Sequence, residues 1–335
     1  FIINAISLQT MIATKASRSV QAAAGRPLVD FSLRRTQGRD AGLKVARASY
    51  LAGFLGTSNV LAGKLYGIPI FGTMAHSYIT SFLHEIDAFR VFARNFPTIT
   101  TLLIDTYDNI SGARHAVTVA QEMEARGQRL DFVRLDSGDM AAISQEVRRI
   151  LDDHGLDYVR ILASGSFDEY KIARVLADGA RIDAFAVGTK MGVSADAPYF
   201  DIAYKLVRYG DQPVMKLSYG KVTLVDKKQV WRRFNDQGAM VRDTIALRRE
   251  AIPGGTPLLQ PVMAGGQITR PLPTLSECRE YFQAQFARLP EAHKVLEDPT
   301  PYPVSLSPGL TELQSRVVQQ IRRRELGENG NYGTD

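Results

Sequence analysis

The sequence predicts an α/β protein, an irregular TIM-like (β/α) barrel with a second, smaller α+β domain after it. Short apolar runs alternate with segments whose apolar residues recur at helical spacing, which is typical of parallel strands buried on both faces. At least five successive units end their strand in a polar, acidic or glycine-containing cluster, as in the loops that form a barrel's site. An open doubly wound sheet also binds ligands at strand ends, but beside one switch point rather than after nearly every strand.

The elements of the barrel domain follow one another regularly. A first helix is predicted over 6–24. A signal peptide is not predicted, because Asn4, Gln9 and Thr10 interrupt the apolar N-terminal stretch and no basic segment precedes it. Strands are predicted over residues 27–31, 68–71, 100–104, 131–135, 159–162, 182–187 and 199–206. Further helices are predicted over residues 40–54, 60–66, 79–92, 110–126, 140–153 and 167–177.

The pattern changes after Tyr219, and we therefore divide the chain into a barrel domain over 1–220 and part of a second domain over 221–335. Residues 221–231 and 238–245 are predicted as a β-hairpin, and helices are predicted over 275–289 and 310–324. The polar tail from residue 327 is predicted to be disordered. Because the chain begins with Phe1, we expect it to be a fragment.

Composition restricts the function. The 335 residues are 45% hydrophobic and 23% charged, as in ordinary globular proteins with a large core. The single cysteine, Cys278, excludes an intramolecular disulfide and fits a cytoplasmic location, and no apolar run is long enough to cross a membrane. The net charge of +6 is dispersed, which fits small anionic substrates better than nucleic acid. Zinc, Walker and dinucleotide-binding patterns are absent, so no resident metal site is predicted.

The segment from Asp131 to Asp139 joins a strand to a helix and carries the densest set of candidate binding groups. Arg134 offers a planar donor pair for a carboxylate or phosphate, and Asp136 can hold hydroxyl groups or magnesium. Ser137 with its following glycine leaves backbone N–H groups free for an anion. A capped turn with a surface ion pair is the alternative interpretation of this segment.

Other candidate residues also follow predicted strands. His76 comes after a Gly-Thr turn and can serve as a base, a ligand or a phosphate acceptor, although a helix-capping or core histidine is the simpler alternative. Gly188 and Thr189 are typical of loops that bind a phosphate through backbone N–H groups and a hydroxyl. Arg34 and Arg35 are candidate anion contacts or surface charges.

Eight segments, taken in order, resemble those of the nicotinate phosphoribosyltransferase family over nearly the whole chain: DFSLRRTQG, GTSNVLAGKLYGIP, GTMAHS, LLIDTYD, VRLDSGD, ASGSFDEYKI, VGTKMGVSADAP and KLSYGK followed by KQVWR. The resemblance implies a type II phosphoribosyltransferase barrel, with a second domain formed from both ends of the chain. It also implies ATP-coupled formation of nicotinate mononucleotide and pyrophosphate from nicotinate and phosphoribosyl pyrophosphate, in NAD salvage. A homodimer is implied as well, with Mg²⁺ bound to the pyrophosphate.

Residue by residue, the resemblance assigns His76 of GTMAHS as the side chain that ATP phosphorylates. Thr73 and Arg134 are then expected to hold nicotinate, with Phe31 stacked on its ring. Nicotinamide-using relatives have an acidic residue at the position of Ser58, where it would repel a carboxylate, so Ser58 favours nicotinate.

The resemblance also assigns the phosphoribosyl side of the site. Gly165, Gly188 and Thr189 are expected to hold the 5-phosphate, and Arg34 a phosphate or the ring. Asp136 is expected to position the ring nitrogen or the ribose, and with His76 it is the expected catalytic residue.

Two alternatives remain. A nicotinamide or quinolinate phosphoribosyltransferase is disfavoured by Ser58 and by ATP coupling through His76. A truncated, inactive paralogue that serves as a binding or dimerisation partner is the other. It is motivated by Ser166, where relatives are often acidic, and by the missing N-terminal segment, which in the family completes the second domain and supplies a tyrosine over the ring across the dimer.

Overall fold

A computed structural model describes residues 1–218 and 223–327, which form two compact units. The first unit comprises residues 1–200 and 274–283, and the second comprises residues 201–273 and those from 284 onward. The domain boundary predicted at residue 220 falls in the gap at 219–222, outside the described residues, and it stays a prediction. The predicted tail lies mostly outside them as well.

The first unit alternates helices and strands. Its strands are β1 (Leu28–Asp30), β2 (Gly56–Thr57), β3 (Thr101–Leu103), β4 (Phe132–Leu135), β5 (Arg160–Ala163) and β6 (Ala184–Val187). Its helices are α1 (Ile2–Ala22), α2 (Arg39–Ala52), α3 (Val60–Tyr66), α4 (His76–Ile79), α5 (Glu85–Asn95), α6 (Asn109–Glu124), α7 (Met140–Asp152), α8 (Glu169–Ala177) and α9 (Thr189–Gly192). Helix α10 (Leu275–Ala287) begins in this unit.

The six strands form one parallel sheet in the order β2-β1-β6-β5-β4-β3. Every pair is parallel, with Val29 opposite Ala186 and Leu162 opposite Ala184 in the central registers. A single parallel bridge from Thr57 to Ile70 extends the β2 edge. The predicted α/β class with a buried parallel sheet is confirmed. Within the described residues, no strand pairing joins β3 to the other edge and closes the sheet.

Aspartate side chains cap the start of three helices that follow directly after strands and their loops. Asp108, Asp139 and Asp168 each accept a hydrogen bond from a backbone N–H in the first turn of α6, α7 and α8. Because these short connections all leave the carboxyl ends of parallel strands, their polar residues gather at one edge of the sheet. The core beneath them is apolar and includes the edge-to-face pair of Phe167 and Phe185.

Two sequence-based expectations are wrong, one within this unit and one at the boundary with the second unit. The helix predicted over 79–92 is interrupted between α4 and α5. There the hydroxyl groups of Thr80 and Ser81 donate to backbone carbonyl groups one turn earlier, which competes with helix continuation. The strand predicted over 199–206 pairs with no strand in the described part of the chain, and its apolar side chains, such as Tyr204, are exposed.

The second unit is built on a four-stranded sheet in the order β11-β9-β10-β14. Its strands are β7 (Arg208–Tyr209), β8 (Gln212–Pro213), β9 (Lys228–Phe234), β10 (Met240–Leu247), β11 (Gly255–Pro257), β12 (Met263–Ala264), β13 (Gln267–Ile268) and β14 (Val304–Leu306). Strands β9 and β10 form the predicted antiparallel hairpin. Helix α11 (Pro308–Ile321) packs Leu310, Leu313 and Val317 against Val225 and Leu247. Within the described ranges, no helix has the length and apolar character needed to cross a bilayer.

Gly112 tests how closely α6 packs on the end of β3. A Cβ added there would overlap the carbonyl oxygen of Ile104 in the backbone. We expect Gly112→Ala to lower the free energy of unfolding by about 2 kcal/mol, because the backbone must shift to admit the methyl group. Gly72→Ala is the control, since nothing lies within 4 Å of its added Cβ. Urea unfolding is monitored by far-UV circular dichroism. Equal urea midpoints for the two variants would show that α6 packs on the end of β3 loosely enough to admit the methyl group.

Candidate functional site

A pocket of about 890 Å³ lies at the carboxyl ends of the strands in the first unit. Every residue singled out from the sequence as a site residue lines it, except Ser137. The lining also includes Leu33, Arg35, Gly72, Met74, Ala75, Leu103, Ser164, Ser166 and Ala186. The structure therefore brings together residues that lie up to 158 positions apart, from Phe31 to Thr189.

A larger cleft of about 1220 Å³ lies on the same unit, at the opposite ends of the strands. It is lined by the segments that precede β1 and β6 and by α7, and it contains none of the candidate residues. Ligands of parallel α/β sheets bind at the carboxyl ends of the strands, so the smaller pocket is the candidate active site.

The guanidinium group of Arg134, at the end of β4, is the centre of polar contacts in the pocket. Its Nε donates to Ser164 Oγ at 2.8 Å, its Nη1 to Thr73 Oγ1 at 2.7 Å and its Nη2 to Asp136 Oδ1 at 2.9 Å. A longer contact of 3.5 Å joins Nη1 to the carbonyl oxygen of Met74. Because the side chain is only 14% exposed, these acceptors replace the water that the charge would otherwise hold.

These contacts limit how Arg134 can bind a ligand. A guanidinium group has five N–H donors, and four of them are directed at the acceptors described above. Paired binding of a carboxylate therefore requires the long contact to Met74 to give way. The ring of Phe31 lies with its centroid 5.5 Å from the guanidinium carbon, which places an aromatic face beside this position.

Asp136 is held in its ionised form. Burial opposes ionisation, but the hydrogen bond from Ser164, the charge and hydrogen bond of Arg134 and the contact with His76 outweigh it, so the pKa of Asp136 lies below its ordinary value. Its Oδ1 accepts hydrogen bonds from Ser164 Oγ and Arg134, while Oδ2 lies 3.5 Å from His76 Nε2. A carboxylate is thus present in the pocket throughout the neutral pH range.

His76 is the first residue of α4 and lies at the edge of the pocket. Its Nδ1 is 3.1 Å from Thr106 Oγ1, and its Nε2 is 3.5 Å from Asp136 Oδ2 and 4.0 Å from Asp105 Oδ1. The side chain is 45% exposed, so it is not a core histidine. An accessible imidazole that is oriented by a hydroxyl group and two carboxylates is suited to accept a proton or a phosphoryl group.

Ser137 lies outside the pocket lining. Its hydroxyl group donates to Asp105 Oδ2 at 2.6 Å, and the backbone N–H of Asp136 donates to the same oxygen at 3.2 Å. The Asp105 side chain is 1% exposed, and its Oδ1 has no hydrogen-bond partner among the described residues. Ser137 therefore holds Asp105 in place beside His76.

The loops after β5 and β6 supply the glycine-rich wall of the pocket. Gly165 has φ +98°, and a Cβ there would overlap the carbonyl oxygen of Asp136, so both its conformation and its position require glycine. The following Ser166 also has a positive φ, +55°. Gly188 caps α9 and Thr189 is its first residue, directly after the neighbouring strand β6. The three residues predicted to hold a phosphate therefore lie on the loops after two adjacent strands.

A buried carboxylate supports the wall that carries Phe31 and Ser58. Asp30 Oδ1 accepts from Ser32 N at 2.8 Å and Oγ at 2.5 Å, and its Oδ2 accepts from Thr57 Oγ1 at 2.7 Å. Burial raises the pKa of Asp30, against the effect of these hydrogen bonds. Ser32 has φ −87°, which a residue with a side chain adopts without strain.

Two exposed arginines also lie at the site. Arg34 and Arg35 lie in a short 3₁₀ turn after β1, and both are exposed at the pocket wall. In residues 1–218 and 223–327, no group of three or more His, Cys, Asp and Glu side chains is arranged to hold a metal ion.

Sequence reasoning did not predict the positioning roles of three residues in the site. Ser164 joins Arg134 to Asp136, Thr106 orients His76, and Asp30 anchors the Phe31 wall. Each follows or ends a predicted strand, which is the one signal that marks them in the sequence.

Two protein-family models match this chain. A family model described as the nicotinate phosphoribosyltransferase (NAPRTase) family matches residues 27–221, and one described as the nicotinate phosphoribosyltransferase C-terminal domain matches residues 255–314. The nicotinate phosphoribosyltransferase of Mycobacterium tuberculosis is 47% identical over 327 residues, which cover 96% of this chain and 68% of that protein. That of Bacillus subtilis is 33% identical and covers 96% of this chain and 72% of its own length.

Two solved structures share the fold. The crystal structure of human nicotinic acid phosphoribosyltransferase has a TM-score of 0.81 at 29% identity and covers 93% of this chain and 75% of that one. The nicotinate-nucleotide pyrophosphorylase from Pyrococcus furiosus has a TM-score of 0.72 at 28% identity, covering 84% and 71% of the two chains.

The contact between Ser164 and Asp136 yields a test of the site's electrostatics. We expect Ser164→Ala to raise the pKa of Asp136, because it removes a hydrogen bond that favours the ionised carboxylate. The measurement is a carboxyl ¹³C NMR titration, with the Asp136 signal assigned through Asp136→Asn. Ser144→Ala removes a buried hydroxyl group from α7 and is the control. An Asp136 titration that Ser164→Ala leaves unchanged would contradict the assigned role of Ser164.

Proposed function

Because the chain belongs to the nicotinate phosphoribosyltransferase family, we propose that it makes nicotinate mononucleotide and pyrophosphate from nicotinate and phosphoribosyl pyrophosphate, for NAD salvage. The observation that carries the proposal is the single pocket in which Arg134 and Phe31 lie together with the loops of Gly165 and Gly188. One end suits an aromatic carboxylate, and the other suits a sugar phosphate.

Nicotinate binds at the Arg134 end. Its carboxylate pairs with the guanidinium and accepts from Thr73, whose hydroxyl group already lies 2.7 Å from Nη1. The pyridine ring stacks on Phe31, beside which the guanidinium lies. Ser58 lines the same wall and adds no negative charge, which suits the acid rather than the amide.

The ribose phosphate extends towards the glycine-rich wall. The 5-phosphate accepts from backbone N–H groups of the Gly165 and Gly188 loops and from the Thr189 hydroxyl group, with Arg34 adding a cation. The pyridine nitrogen then forms a bond to the ribose carbon C1 as the bond from C1 to the pyrophosphate oxygen breaks, and the bonding electrons leave with the pyrophosphate. The ionised Asp136 stabilises the positive charge that develops on the ribose.

ATP coupling acts through His76. Transfer of the γ-phosphoryl group of ATP to its imidazole releases ADP and adds negative charge and acceptor oxygens beside the pyrophosphate position. Attack of water on the phosphohistidine then releases phosphate and restores the imidazole. Asp136, a carboxylate in the pocket lining, would offer an oxygen ligand to Mg²⁺ that entered with the pyrophosphate. When bound with the pyrophosphate, Mg²⁺ neutralises charge on the leaving group.

The proposal includes a barrel-like curvature of the sheet and a homodimer. The hydrogen bond from Arg134 to Thr73 supports the curvature. Arg134 lies on β4, next to the β3 edge, whereas Thr73 follows the Ile70 bridge at the β2 edge, so the contact joins the two ends of the sheet. Exposed apolar side chains in the first unit, including Val60 and Leu65 on α3, support a dimer contact.

Replacing His76 separates ATP stimulation from the ATP-independent formation of nicotinate mononucleotide. We expect His76→Ala to abolish stimulation by ATP and to leave a slow ATP-independent formation of nicotinate mononucleotide, because the phosphoryl acceptor is removed but the binding groups remain. Product formation is measured with and without ATP. His154→Ala, two residues after the end of α7, is the control and keeps ATP stimulation. Full ATP stimulation in His76→Ala would contradict the assignment.

Ser58 tests the preference for the acid substrate. We expect Ser58→Asp to raise the KM for nicotinate at least tenfold and to permit turnover of nicotinamide, because the new charge repels a carboxylate and accepts from an amide. Ser58→Asn matches the size of aspartate without its charge and serves as the control. Equal KM values for the two variants would mean that Ser58 does not contact the carboxylate side of the substrate.

A further inference from the structure

Lys171 lies directly behind the glycine-rich wall of the pocket. It is in the first turn of α8, and its Nζ donates to the carbonyl oxygen of Gly165 at 2.7 Å. Its ammonium group also lies 4.6 Å from the centroid of the buried Phe167 ring. Lys171 is half-buried and is not one of the residues that line the pocket, so it contacts the wall from its rear side.

This hydrogen bond determines the orientation of one peptide group. In a trans peptide, the carbonyl oxygen and the following N–H point in opposite directions, so holding the Gly165 carbonyl turns the Ser166 N–H away from Lys171. Within the described residues, no acceptor binds that N–H. Gly165 and Ser166 both line the pocket, and the Ser166 N–H is therefore free to bind a ligand there.

The loop needs such a contact because its backbone is strained. Gly165 and Ser166 have φ values of +98° and +55°, and the second is unfavourable for a residue with a side chain. The Asp136 backbone fills the space beneath Gly165 and prevents relaxation in that direction. A charged hydrogen bond from Lys171 stabilises the conformation from the other side.

Asp168 connects Lys171 to the neighbouring loop after β6. Its Oδ1 accepts from the backbone N–H of Lys171 at 2.8 Å, which fixes the start of α8. Its Oδ2 accepts from Lys190 Nζ at 2.6 Å, one residue after Thr189. The Asp168 side chain is 10% exposed, so it is a fixed link between the loops after β5 and β6.

We propose that Lys171 is a positioning residue for the phosphate end of the substrate, because it presents the Ser166 N–H to a phosphate oxygen. The inference rests on the proposed function for the identity of the sugar phosphate. It adds to that function a residue that touches no substrate but aligns the group that does.

Binding of ribose 5-phosphate, measured by titration calorimetry, tests the inference without turnover. We expect Lys171→Met to weaken binding about tenfold, the scale of one charge-assisted hydrogen bond. Lys171→Arg keeps a donor for the Gly165 carbonyl and should bind within about threefold of the unmodified chain. Arg174→Met, an exposed position on the same helix, removes one positive charge and should leave binding unchanged.

Steady-state kinetics provide a second readout. Lys171→Met should raise the KM for phosphoribosyl pyrophosphate and leave the KM for nicotinate unchanged, whereas a general loss of structure would raise both. Lys171→Gln, which retains an N–H donor, replaces Lys171→Met if the latter melts at a lower temperature. We expect Lys171→Gln to bind ribose 5-phosphate more tightly than Lys171→Ala.

The outcomes separate this inference from the proposed function. Ribose 5-phosphate binding that depends on Lys171, in a chain that makes no nicotinate mononucleotide, would support the inference and contradict the proposed reaction. Turnover with unchanged affinity for ribose 5-phosphate in Lys171→Met would support the reaction and overturn the inference. Equal weakening in Lys171→Met and Arg174→Met would also overturn it, since a general charge effect would then explain the result.

Discussion

The hydrogen bonds of Arg134 are the interaction on which the rest of the site depends. One guanidinium group joins Ser164 after β5, Asp136 after β4 and Thr73 before α4, at N···O distances of 2.7 to 2.9 Å. A cation that is only 14% exposed must be paired, and so these three segments are held together even without a ligand. Together with the hydrogen bond from Ser164, the same charge keeps Asp136 ionised, and it places a carboxylate-binding group beside Phe31.

Much of the fold follows from local sequence, because strand and helix periods differ and because side-chain caps mark the start of helices such as α6, α7 and α8. The parallel sheet and the hairpin of the second unit were predictable in this way. The break between α4 and α5 was not, since the hydroxyl contacts of Thr80 and Ser81 do not change the apolar spacing. Residues 199–206 have a strand-like composition, but a strand also requires a pairing partner, which local sequence does not reveal.

The position of each candidate residue was predictable from its place at a strand end, but its hydrogen-bond partner was not. Ser137 and Asp105 are 32 residues apart, and Arg134 and Thr73 are 61 apart, so only the folded sheet brings them into contact. The same holds for Lys171, which looks like an ordinary surface lysine of an amphipathic helix in the sequence. Its role depends on the direction of one carbonyl group.

A crystal structure of the chain with nicotinate mononucleotide tests the central claim most directly, that one pocket binds an aromatic carboxylate and a sugar phosphate at its two ends. The account predicts the ring carboxylate within hydrogen-bond distance of Arg134, the pyridine ring on Phe31, and the 5-phosphate at the loops of Gly165 and Gly188. A nucleotide bound in the reverse orientation, or in the cleft at the opposite ends of the strands, would contradict the account.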